Sequence, residues 1–203
     1  MLFTPAEYAR GWLLTRRVLA FRLDGFALID PSWATALRSF RTLWVVWPLS
    51  LALLWYDNAG FIARYEVSTA AYMAAQFLGW IVALPLALWL VWLVCKLEGL
   101  TAGFAHYLSV NNWYGLYLNF LLIPFYPLGQ SGWLARQEQI ALAIVVFVMT
   151  TAYAWLIAWR TLRCNPFLAL GIVTIGMMVG TSISDYINTV FFGTARPFFD
   201  EIQ

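Results

Sequence analysis

Residues 69–95 read TAAYMAAQFLGWIVALPLALWLVWLVC and contain no charged side chain. As an α-helix rising about 1.5 Å per residue, this stretch is longer than the roughly 30 Å hydrocarbon core of a bilayer. It therefore predicts a transmembrane helix that tilts, or that bends at Pro85.

The composition of the whole chain also favours a membrane protein. Of its 203 residues, 63% are hydrophobic and only 11% are charged, which is more apolar than a soluble domain of this size can bury. Four further spans are predicted, at about residues 36–56, 106–128, 140–159 and 167–184. The expected fold is an all-α, polytopic membrane bundle of about five transmembrane helices, with its membrane domain at 33–184.

The third predicted span is the most polar one, and two beginnings are possible. A start near Phe104 buries Asn111, Asn112 and Asn119, whereas a start at Trp113 leaves a short span. Buried amides need hydrogen-bond partners, so these asparagines either link helices or line a wet cavity. We favour links between helices.

Residues 1–32 are predicted to form an interfacial segment with a helix from Thr4 to about Leu23. Thr4 and Glu7 have the spacing of a capping box. Arginines around the helix make it too charged to span a membrane and suit it to lie on lipid headgroups. The apolar stripe expected to face lipid consists of Tyr8, Trp12, Leu19 and Leu23.

The basic residues predict the orientation of the bundle. Nine of the 12 lysines and arginines fall on the side of the N-terminus if there are five spans. The positive-inside rule then places the N-terminus in the cytoplasm and the C-terminus outside. The basic residues expected to contact lipid headgroups or a partner are Arg16, Arg17, Arg38 and Arg41.

Asp185 is the only acid that could lie inside a span. An acid in hydrocarbon is costly and commonly functional, for example as an ion or proton site. The last predicted span ends at Ser184, however, so we expect Asp185 to reach the outer headgroups at the start of an interfacial tail over 185–203. Phe198 and Phe199 of this tail are expected contacts with lipid or a partner.

Gly176 and Gly180 form a GxxxG pair in the last predicted span. Small residues at this spacing let helix backbones approach closely. We expect the pair to pack against another helix of the same chain, with dimerisation as the alternative.

The scarce residue types exclude several functions. One histidine and two cysteines are too few for a bis-histidine haem or a four-ligand zinc site. No nucleophile–base pair, phosphate-binding glycine loop or paired carboxylate is recognisable, so neither an enzyme nor a cofactor is expected. Membrane lipids and a membrane protein are the expected partners, and nucleic acid is not.

Three short motifs resemble the bacterial relatives of the Yip membrane family, in particular proteobacterial membrane proteins. They are Arg38-Ser39-Phe40 leading to Pro48, Gly79-Trp80 leading to Pro85-Leu86, and Asn112-Trp113, within a region from Asp24 to Leu128. The resemblance implies a non-enzymatic membrane protein that works through partners or lipids. We therefore expect a non-catalytic accessory, scaffold or assembly protein in a bacterial inner membrane. The alternative is a small transporter or channel that uses Asp185 and the asparagines of the third span.

Overall fold

The computed structural model describes residues 3–58, 62, 68–125 and 134–193. In these ranges the chain is helical and contains no β-strand, which confirms the predicted all-α class. The α-helices are α1 (Pro5–Leu19), α2 (Trp33–Ser39), α3 (Leu43–Asp57), α4 (Thr69–Leu97), α5 (Thr101–Leu122), α6 (Arg136–Leu162) and α7 (Pro166–Phe192). Two short 3-10 helices cover Leu23–Leu28 and Phe40–Thr42.

Three helices of the described chain, α4, α6 and α7, are long and apolar enough to cross a membrane. The chain is therefore a helical bundle with membrane-spanning character. The predicted first span is divided between α2, a 3-10 turn and the 15-residue α3. The predicted third span corresponds to α5, whose asparagines and histidine lower its hydropathy.

Neighbouring long helices run in opposite directions. Gln76 near the start of α4 meets Asn188 near the end of α7, so these two helices are antiparallel. The turns at residues 98–100 and 163–165 lie together at one end of the bundle, because Phe104, Cys95 and Cys164 belong to one buried cluster. We call this end the turn end.

Helix α5 is the central helix of the bundle. It packs against α1, α2, α3, α4 and α6. Its buried side chains point in several directions around the helix, as expected for a helix enclosed by others. They are Phe104, Ala105, Leu108, Ser109, Val110, Trp113, Tyr114 and Leu116. A helix enclosed by protein needs little lipid-facing apolar surface, which explains why α5 is the most polar of the long helices.

The predicted third span differs from its helix at both ends, and the helix at the predicted fourth span, Arg136–Leu162, extends beyond 140–159 on both sides. The third span was expected at 106–128, but α5 begins at Thr101 and ends at Leu122, just before Pro124. Proline has no backbone N–H and its ring clashes with the preceding turn, so it favours an end here. Residues 126–128 of that prediction lie outside the described residues.

The last helix is longer than its predicted span. It was expected to end at Ser184 and give way to a tail, but α7 continues to Phe192. Gly193 then ends it in the left-handed conformation, with φ of 68°. Asp185 and the first residues of the expected tail are therefore helical.

The face of the N-terminal helix that packs on the bundle is not the stripe expected to face lipid. The Thr4–Glu7 capping box forms, but α1 ends at Leu19 rather than near Leu23. Of the stripe expected to face lipid, Tyr8, Trp12 and Leu23 are exposed in the bundle and Leu19 is half-buried. The face that packs on the bundle consists of Gly11, Leu14, Thr15 and Val18.

Candidate functional site

Residues 3–30 fold onto the side of the bundle, and we call them the amino-terminal layer. Helix α1 crosses α5 so closely that a Cβ built on Gly11 would lie 2.4 Å from Cε3 of Trp113. Leu14 and Val18, both at most 1% exposed, pack into the same cluster as Trp113 and Ile157. The absence of a side chain at Gly11 is what allows this contact.

Three polar side chains of the bundle bond to backbone carbonyls of the amino-terminal layer. Tyr117 donates its hydroxyl to the carbonyl of Tyr8 at 2.7 Å, and Tyr153 donates to the carbonyl of Leu19 at 3.0 Å. His106 Nε2 lies 3.0 Å from the carbonyl of Phe26. A carbonyl can only accept, so this ring nitrogen carries the proton. The layer is thus held at three points along its length.

A polar cavity of about 300 Å³ lies between the amino-terminal layer, α2 and α5. We call it the amino-terminal cavity. Its charged lining residues are Glu7, Arg10, Asp30 and Arg38, and its apolar lining residues include Phe3, Ile29 and Trp113. It combines two predicted site residues, Trp113 and Arg38, that are 75 positions apart in the chain.

Both carboxylates of the amino-terminal cavity are held by neighbouring residues. The backbone N–H and hydroxyl of Thr4 donate to Oε2 of Glu7 at 2.7 and 3.0 Å. The hydroxyls of Ser32 and Thr35 donate to Oδ2 of Asp30, the latter at 2.9 Å. The Thr4 backbone hydrogen bond lowers the pKa of Glu7, and the Ser32 hydrogen bond lowers the pKa of Asp30. Both groups are therefore negatively charged at neutral pH.

The two arginines of the amino-terminal cavity make no comparable hydrogen bonds, although the charge of Arg38 contributes to lowering the pKa of both carboxylates. In the part of the chain that the structure describes, the ion pairs of this region join Arg17 and Arg22 to Asp24, at 3.0 and 3.8 Å. Arg10 and Arg38 are exposed and form neither an ion pair nor a hydrogen bond there. Their guanidinium donors are free to bind a ligand that enters the cavity.

The asparagines of α5 connect helices. Asn112 donates to the hydroxyl of Ser39 at 2.9 Å, which ties α5 to α2. Asn119 accepts from the hydroxyl of Ser50 at 3.0 Å, which ties α5 to α3. Asn111 is half-buried next to them. The two bonded amides thus occupy the role that we favoured for them.

Asp185 does not lie near these asparagines. It is exposed on α7, which packs against α4 and α6. The buried polar contact of this region is one turn further on, where Gln76 donates to Asn188 at 2.7 Å. Sequence reasoning missed this pair, although Gln76 is the only amide in the 69–95 stretch and could have been singled out for that reason.

Gly176 and Gly180 do not pack closely against another helix of the chain. A Cβ built on either residue meets no heavy atom within 4 Å. Both glycines line an open, largely apolar groove of about 300 Å³ between α3, α4 and α7. The prediction of tight packing within the chain is wrong at this pair, because the groove separates the glycines from α3 and α4.

The remaining predicted contact residues are dispersed. Arg16 is exposed on α1, and Arg17 pairs with Asp24 within the amino-terminal layer. Arg41 is exposed next to the start of α3. Phe198 and Phe199 lie outside the described residues. Among the described residues, no three His, Cys, Asp or Glu side chains converge to hold a metal ion.

Comparison with known proteins found no relative of this chain. No protein-family model, curated protein or solved structure matches this chain. The resemblance to the Yip family therefore rests on the three short motifs alone and stays a prediction.

Proposed function

We propose that this chain is a non-catalytic accessory or assembly protein of a bacterial inner membrane. It would cross the membrane five times and present the amino-terminal layer to a partner on the cytoplasmic side. The observation that carries the proposal is the docking of residues 3–30 on α5 and α6 by specific hydrogen bonds and close packing. A segment that only lay on lipid would not need these contacts.

Five spans are compatible with the shape of the two less apolar segments. Residues 33–57 form an almost continuous helical rod of roughly 37 Å, enough to cross the hydrocarbon core. Helix α5 is polar, but its neighbours cover much of its surface, so it can cross without facing lipid on all sides. Both segments would run outward from the turn end.

The basic residues at the turn end support its assignment to the cytoplasmic side. Lys96, Arg160 and Arg163 lie at this end of α4 and α6. Exposed tryptophans of the kind that anchor helices at membrane interfaces occur toward this end, at Trp33 and Trp89. The end of the amino-terminal layer at Phe26, which meets His106 in the first turns of α5, would therefore lie at the level of the inner headgroups.

A transporter has less support from the polar side chains. Its two proposed components, Asp185 and the asparagines of α5, lie on α7 and α5, two helices that do not pack extensively against each other. Asn112 and Asn119 are also occupied in bonds between helices. A path for an ion would have to break them.

Partner capture tests the proposal. Arg16 is exposed on α1 and outside the ion pairs of the layer, so Arg16→Glu reverses a charge without removing a structural contact. We expect purification in native nanodiscs to recover a specific membrane protein with the unaltered chain and to lose it with Arg16→Glu. Lys96→Gln, a charge change at the same end but outside the layer, should retain it.

Two results would contradict this function. One is that the unaltered chain purifies alone in native nanodiscs. The other is that Arg16→Glu and Lys96→Gln recover the same protein in equal amounts.

A further inference from the structure

We propose that the amino-terminal cavity binds the zwitterionic headgroup of a phospholipid that carries a phosphate and a primary ammonium, as in phosphatidylethanolamine. The inference deepens the proposed function and rests on it only for the level of the cavity in the membrane. The charges, hydrogen bonds and lining of the cavity carry the choice of ligand.

The charges of the cavity call for a ligand with both signs. Its two guanidinium groups are balanced by two carboxylates, each held in place by hydroxyl groups. A purely anionic ligand would bring its charge close to Glu7 and Asp30, and a purely cationic one would face Arg10 and Arg38. A ligand with one positive and one negative group can satisfy both pairs at once.

Phosphate suits the two arginines. Guanidinium groups bind phosphate oxygens with paired, charge-assisted hydrogen bonds. Arg10 is on α1 and Arg38 is on α2, so a phosphate between them would bridge two elements of the cavity wall. Neither arginine would have to abandon an ion pair present in the described chain.

A primary ammonium suits the carboxylates. Both hydrogen bonds from Thr4 reach Oε2 of Glu7, which leaves Oε1 as an acceptor. Likewise, the hydroxyls of Ser32 and Thr35 both reach Oδ2 of Asp30. An ammonium has three donors to offer these oxygens. A trimethylated ammonium has none, so the cavity should discriminate against phosphatidylcholine.

The apolar lining favours a lipid over a free headgroup. Phe3, Ile29 and Trp113 contribute to the wall, and the first two are 5% and 6% exposed. A volume of about 300 Å³ is at the lower limit of small-ligand pockets, which suits a headgroup whose acyl chains remain in the membrane. Trp113 lies midway along α5, so the cavity borders the bundle itself.

Lipid titration followed by native mass spectrometry tests the assignment. The intact protein, delipidated in detergent, is titrated with dioleoyl phosphatidylethanolamine, phosphatidylcholine or phosphatidylglycerol. We expect one phosphatidylethanolamine to bind roughly tenfold more tightly than either other lipid, the difference expected from one charge-assisted hydrogen bond. Soluble glycerophosphoethanolamine should compete only weakly, because it lacks the acyl chains.

Three variants test whether the lipid binds in the amino-terminal cavity. Arg38→Gln should weaken phosphatidylethanolamine binding roughly tenfold. Glu7→Gln keeps a residue that can close the capping box, so it should remove the preference over phosphatidylglycerol without unfolding α1. Arg22→Gln removes a charge from the same layer but outside the cavity, and it should bind as the unaltered protein does.

Three outcomes would overturn the proposal. They are equal binding of the three lipids, equal binding by Arg38→Gln and Arg22→Gln, and tight binding of soluble glycerophosphoethanolamine, which would identify a free metabolite as the ligand. Loss of partner capture with intact lipid selectivity would contradict the proposed function alone. Lost selectivity with intact capture would contradict this inference alone.

Discussion

Gly103 lies where α5 meets α6, and it has no room for a side chain. A Cβ built there falls 2.6 Å from the carbonyl oxygen of Thr161 and 3.0 Å from Cα of Leu162. Both atoms belong to the backbone of α6, so the helices would have to separate. We expect Gly103→Ala to lower the stability of the bundle by about 1–3 kcal/mol. Thermal unfolding in detergent, followed by tryptophan fluorescence, measures this as a lower midpoint.

Gly176→Ala and Gly180→Ala are the matched controls for that substitution. A Cβ at either position meets no heavy atom within 4 Å, and alanine favours a helix over glycine by up to about 1 kcal/mol. The midpoint should stay unchanged or rise. A larger loss of stability for Gly176→Ala than for Gly103→Ala would show that the groove between α3, α4 and α7 is filled in the folded protein.

The two glycine pairs show what spacing can predict and what it cannot. Gly99 and Gly103 have the same separation as Gly176 and Gly180. Only Gly103 of these four has another helix against it, because close packing depends on which backbone lies opposite. That information is absent from the local sequence. The Thr4–Glu7 capping box, in contrast, depends on four consecutive residues and could be read directly.

The docking of α1 on α5 depends in part on the hydroxyl of Tyr117. Tyr117 donates its hydroxyl to the carbonyl of Tyr8 at 2.7 Å. We expect Tyr117→Phe to weaken the docking by about 0.5–1.5 kcal/mol, the usual net value of one hydrogen bond. Hydrogen exchange of the amides of Pro5–Leu19 should become roughly two- to tenfold faster.

Tyr114→Phe is the control for this docking experiment. Tyr114 is buried on the same helix, but its hydroxyl has no hydrogen-bond partner among the described residues. Removing it should leave exchange in α1 unchanged. Equal acceleration by both variants would mean that the hydrogen bond to Tyr8 contributes nothing to the docking.

Element boundaries were predictable where they depend on local chemistry. Helix α4 was expected from Thr69 because the apolar stretch begins there, and its described bounds agree closely. The prediction ended the last span at Ser184 because the helix is by then nearly long enough to cross the hydrocarbon core. A helix ends at a stop signal in its sequence, however, and not at a membrane surface. That signal is Gly193. The start of α5 stayed ambiguous because the hydropathy of a sequence does not show which of its residues are covered by neighbouring helices.

Because α4 and α7 are each proposed to cross the membrane, the turn end and the opposite end of these two helices should lie on opposite sides of it. Glu98→Cys at the turn end should react with an impermeant maleimide only in inverted vesicles. Thr189→Cys, near the far end of α7, should react in intact cells. Both positions are exposed in the bundle. Labelling of both residues from the same side would contradict the proposed topology.

The two native cysteines should react little in that labelling experiment. Cys95 and Cys164 are both buried. Burial raises the pKa of the Cys164 thiol, so less of it is the reactive thiolate at neutral pH and its labelling should begin at higher pH than that of an exposed thiol. Labelling at neutral pH should therefore report the introduced cysteines. Rapid reaction of the protein without them would show that the turn end opens.

The docked amino-terminal layer has a consequence for the order of events during synthesis. The ribosome makes Leu14 and Val18 early. Tyr117 and Tyr153, which bond to Tyr8 and Leu19 of the layer, are each made more than a hundred residues after their partners. Until then the aliphatic face of α1 has no surface to cover it. A nascent or wrongly inserted chain would expose this face to chaperones and proteases, whereas a completed chain would hide it. Docking of the amino-terminal layer would thus distinguish a fully folded chain from an incomplete one.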